Sequence, residues 1–126
     1  MLFRSQALGP DRVAGGTAYI TSVVSAPGEI THTALQRLFF GMPDGRPSPL
    51  LDDLTGLCAA AGVDGSHSPA IWREIWTKFV RLTVFSGMTS VARCSIGEVL
   101  ADPALADLLD RAFAESVAVE IGRAHV

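Results

Sequence analysis

Two Ser-Pro dipeptides, Ser48-Pro49 and Ser68-Pro69, divide this chain of 126 residues into parts of different character. Each has the form of a helix start. A serine oxygen can accept from free backbone N–H groups, and a proline in the first turn loses no helical hydrogen bond. Before the second dipeptide the chain reads as α/β. After it, every apolar pattern has helical spacing. The expected fold class is therefore α/β followed by all-α.

In the first part, Val13 to Val24 is rich in β-branched and small residues and predicts a buried strand. Ala26-Pro27-Gly28-Glu29 predicts a turn, and Ile30 to Phe40 a second strand. Pro43 to Pro47 is a loop. The helix that Ser48 opens carries Asp52 and Asp53 near its start, where the dipole favours negative charge. Leu50, Leu51, Leu54, Leu57 and Cys58 form its predicted apolar stripe, and Gly62 its end. A short strand is expected over Val63 to His67.

In the second part, a long helix is predicted through Trp72, Trp76, Phe79, Leu82 and Phe85, with a break or kink at Gly87. Ser95-Ile96-Gly97-Glu98 has the form of a capping box. Asp102-Pro103 opens a last helix with Leu105, Leu108, Leu109, Ala112, Phe113 and Val117 on its apolar side.

Several functions are disfavoured by composition. The net charge is −3 with no basic cluster, which argues against nucleic acid or an acidic membrane surface as partner. No apolar run is long enough to cross a bilayer, and the start lacks the apolar core of a signal peptide. Cys58 and Cys94 read as the reduced thiols of a cytoplasmic protein. His32 and His67 have no carboxylate or cysteine at metal-ligand spacing. Gly15-Gly16 is not a dinucleotide fingerprint, and no phosphate loop is present in the sequence.

Lys78, the only lysine, stands within the most apolar stretch of the chain, six residues from one tryptophan and two from the other. Arg73, Glu74, Thr77, Lys78 and Arg81 fall on one side of the predicted helix. Periodicity alone describes Lys78 as a solvated charge facing Glu74 one turn earlier.

The runs Ile75-Trp76-Thr77-Lys78-Phe79-Val80, Ser86-Gly87-Met88-Thr89-Ser90, Ile96-Gly97-Glu98 and Ala101-Asp102-Pro103 resemble ketopantoate reductase (2-dehydropantoate 2-reductase). So do Leu8 to Gly16, Ala26 to His32 and Phe40-Gly41, in the same order. The likeness extends from about Gln6 to Val119. It implies NADPH-dependent reduction of a small 2-oxo acid, an N-terminal Rossmann domain, a helical second domain and an active site in the cleft between them. It also implies a homodimer for the full-length protein. The family's lysine proton donor falls on Lys78. Ser86 matches a substrate-binding position that is asparagine in enterobacterial-type members, and Leu82 and Ile96 match two further asparagines. These departures open the identity of the 2-oxo acid. Ser22 falls where the family's chain passes the cofactor.

On this reading residues 6–68 are the C-terminal part of the cofactor domain and 69–119 the start of the helical substrate domain. Residues 1–5 and 120–126 look like translated flanks of a sequencing adapter and are set apart as tails. The leading expectation is a fragment, inactive when isolated, of a 2-dehydropantoate 2-reductase of pantothenate biosynthesis, with a same-fold reductase of another 2-oxo acid as the alternative. The competing one is a small non-catalytic domain that pairs through its long helix.

Overall fold

The computed structural model describes residues 2–123. Met1 and residues 124–126, parts of the two expected tails, lie outside the described residues. In chain order the elements are α1 (Leu2–Leu8), a 3-10 turn (Pro10–Arg12), β1 (Gly15–Ala26), β2 (Glu29–Gly41), α2 (Pro49–Ala60), β3 (Asp64–His67), α3 (Ile71–Ala92), α4 (Ile96–Ala101) and α5 (Pro103–Arg123). They form two compact units, Met1–Ile75 and Trp76–Val126. Helix α3 begins in the first and gives most of its length to the second.

The first unit holds a three-stranded sheet in the order β1-β2-β3. Pro27-Gly28 turns the chain between β1 and β2, with Gly28 at φ 82°, and the two strands pair antiparallel. Strand β3 returns parallel to β2 after α2. This β–α–β crossover accounts for the parallel pairing among the described residues, and the rest of the sheet is hairpin. The proline-first start of α2 is present, although the Ser48 side chain makes no cap. Instead the Ser48 carbonyl accepts from Leu51 and Asp52. Gly62 follows the helix at φ 73°, a backbone conformation that favours glycine, and its N–H closes on the Ala59 carbonyl.

Burial departs from the sequence expectation. The core of this unit gathers Phe40, Met42, Leu51 and Cys58, with Leu38, Leu54 and Val63 packed against it. Strand β1 is not the buried strand expected. From Ile20 to Ser25 it is exposed, with Val24 76% accessible, because α2 and the first turn of α3 pack only on the Gly15/Phe40 end of the hairpin. The stripe of α2 is also narrower than its leucines suggest: Leu51 and Cys58 are buried, but Leu50 and Leu57 face out.

The second unit is helical. Val84 and Met88 of α3 pack with Val99 of α4 and Leu109 of α5, and Phe85 meets Phe113 edge to face at 5.4 Å. Helix α3 runs without interruption through Gly87, so the expected break does not occur. One glycine costs a helix about 1 kcal/mol, and the buried Val84 and Met88 on either side of Gly87 hold it in the helix. The capping box forms as read. The Glu98 N–H reaches Ser95 Oγ at 3.3 Å, and the Ser95 N–H reaches Glu98 Oε2 at 2.8 Å. Asp102 caps α5 by accepting from the N–H groups of Ala104 and Leu105 at 2.8 and 3.2 Å.

Hydrogen bonds from the Ser95 backbone and side chain hold the Glu98 carboxyl below its ordinary range. A carboxyl depressed by folding contributes stability above its unfolded value and loses it as pH falls through the folded one. Ser95→Ala is therefore expected to lower the urea midpoint near neutrality. Its deficit relative to wild type should shrink in acid, where Glu98 is protonated in both. A deficit independent of pH would show that the carboxylate takes no part.

Candidate active site

Three glycine and serine positions set where α3 starts. The Ser68 N–H donates to the Phe40 carbonyl at 2.8 Å, tying the loop before the helix to the end of β2. Gly41 and Gly15, paired across the hairpin, have no side chains to hold the helix away. A Cβ on Gly15 would lie 3.0 Å from Ile71, and one on Gly41 would run into the Ser68 carbonyl. Ile71 is consequently 1% accessible at the head of α3.

Further along, the packed face of α3 is Val80, Val84 and Met88. The opposite side is therefore open: Phe79 is 54% and Leu82 48% accessible, and Ser86 is exposed. Of the aromatics along the helix, Trp72 and Phe79 are exposed. Phe79 meets Trp76 edge to face at 5.3 Å. Lys78 is half-buried. At about 100° per residue it stands on a seam. Phe79 and Leu82 lie to one side of it and Glu74, Thr77 and Arg81 to the other.

Lys78 and Ser86 are brought onto one helix, roughly 12 Å apart along its axis at 1.5 Å per residue. Ser22 is not brought to them by anything the geometry shows. It belongs to the first unit, exposed on β1 opposite His32, beside an irregularity in the strand register. An open, largely apolar groove of about 280 Å³ on the first unit's sheet, between Ile20, Leu38 and Val63, contains none of the three.

Residues 70–125, which include Lys78 and Ser86, match the family model described as Ketopantoate reductase PanE/ApbA C terminal. Across 97 residues, 77% of this chain, the sequence is 30% identical to 2-dehydropantoate 2-reductase of Mesorhizobium japonicum. An uncharacterised oxidoreductase of Bacillus subtilis is 28% identical over 99 residues, 78% of this chain. The solved structure of 2-dehydropantoate 2-reductase from Geobacter metallireducens superposes on 91% of the chain with a TM-score of 0.82 at 25% identity, using 38% of its own length. A Ralstonia solanacearum structure, provisionally designated a ketopantoate reductase, gives 0.80 at 29% identity over 91% of this chain and 36% of its own.

The chain belongs to the ketopantoate reductase family. It spans about a third of the curated relatives it matches, 30% of one and 33% of the other.

The family's dinucleotide can be tested against the residues present. A pyrophosphate needs several free N–H groups at an uncharged helix start. Helix α2 begins with Pro49 and carries Asp52 in its first turn; the first turns of α3 and α4 hold Glu74 and Glu98. Helix α5 begins with Pro103 under the Asp102 cap. None of these described helix starts suits the phosphates of a dinucleotide. Among the described residues there is also no cluster of His, Cys, Asp or Glu able to hold a metal, and no helix long and apolar enough to cross a membrane.

One polar pair escaped the sequence reading. His67 Nδ1 lies 2.7 Å from Asp52 Oδ1, and the imidazole stacks on Phe40. Fifteen residues separate the partners. The β–α–β topology does carry a signal, since it returns the end of β3 to the beginning of the preceding helix. Sequence spacing offers His67 no carboxylate at metal-ligand distance, and that return supplies one as a hydrogen-bond partner instead. The pair ties α2 to β3 inside the first unit.

Proposed function

We propose that this chain is a segment of an NADPH-dependent 2-oxo acid reductase in which Lys78 is the proton donor. Residues 6–68 are then the end of a Rossmann-type cofactor domain and residues 69–119 the start of the helical substrate domain. The observation that carries the reading is the family match across residues 70–125, a stretch that includes the chain's only lysine. The half-buried setting of Lys78 beside exposed Phe79 and Leu82 supports it, because the ammonium then meets a bound molecule at an apolar edge.

The chemistry assigned to Lys78 follows from charge. As the keto carbon is reduced, negative charge develops on its oxygen. An ammonium within hydrogen-bonding reach stabilises that charge and supplies the proton that completes the hydroxyl. Ser86, two turns on, offers a hydroxyl to a more distant polar group of the substrate. NADPH is the reductant the family implies, and its phosphates take their binding groups from outside the described residues. Ser22 is kept as a cofactor-domain contact made through backbone.

The test is the full-length protein encoded by the parent gene, assayed for NADPH oxidation with 2-dehydropantoate and a panel of other 2-oxo acids. Oxidation dependent on at least one 2-oxo acid is expected. NADPH binding without reduction of any of them would sink the reading. The isolated 126-residue chain is expected to show no turnover in the same assay.

A further inference from the structure

We draw no further inference here: the strongest candidate, the open apolar groove between Ile20, Leu38 and Val63 on the sheet of the first unit, carries nothing, because nothing in the structure shows what covers it.

Discussion

In the full-length reductase, Lys78→Ala is expected to lower kcat by about 10²–10⁴, the ordinary worth of a positioned general acid. The loss should fall on kcat more than on KM, because the charge that the proposed donor would stabilise is greatest in the transition state. Fold damage is not expected to contribute. Lys78 is half-buried on the open side of α3, its packed face being Val80, Val84 and Met88, and alanine is the best helix former. Lys78→Arg separates charge from proton donation. A guanidinium keeps the positive charge but holds its proton far more tightly, so the variant should retain substrate affinity and still lose most of its rate. Steady-state kinetics with the preferred 2-oxo acid, together with a thermal melt of each variant, makes the check. A loss of only a few-fold in kcat for Lys78→Ala would assign the proton to another group.

Gly41→Ala should cost the fold heavily for a single added methyl group. The new Cβ would run into the Ser68 carbonyl oxygen and lie 3.1 Å from Ile71 Cβ. Neither obstacle can swing aside. Ser68 is held by its N–H to the Phe40 carbonyl, and Ile71 is buried at the head of α3. Overpacking a core ordinarily costs about 1–3 kcal/mol, and a clash with fixed backbone should reach or exceed the upper figure. Against a total stability of roughly 5–15 kcal/mol, that is enough to reduce soluble yield. Chemical denaturation of the full-length protein, with Gly56→Ala as control, makes the comparison. Gly56 lies inside α2, and a Cβ there would meet nothing within 4 Å. Its replacement should stabilise by about 0.5–1 kcal/mol. Equal effects of the two substitutions would show that the approach of the first turn of α3 to the sheet does not depend on Gly41.

Local signals in the sequence carried most element boundaries. The Ser95 capping box, the proline-first start of α2 and the Pro27-Gly28 turn each formed where their residues stand. These depend on hydrogen bonds and dihedral preferences within four residues, which composition specifies directly. Burial was less legible. Tyr19-Ile20-Thr21-Ser22-Val23-Val24 has the composition of an interior strand, yet it is open from Ile20 onward, because no described element covers that end of the hairpin. Gly87 has the character of a helix breaker, yet the residues around it are held by α4 and α5.

The candidate site divides in the same way. The amino-acid sequence by itself determined that one lysine stands amid aromatics, with Leu82 and Ser86 at one- and two-turn spacing, since helical periodicity fixes those relations wherever the helix packs. It also carried the motifs of the ketopantoate reductase family. Only the tertiary structure decided which side of α3 is open. The pairing of Val84 and Met88 with Val99 and Leu109 is made across helices whose packing no local pattern specifies, and it leaves Phe79, Leu82 and Ser86 facing outward beside Lys78. The same holds for His67 and Asp52, which meet because a parallel strand returns beside the start of the helix that precedes it. Sequence spacing set the order of groups along α3; long-range packing set which of them are buried and which stay open.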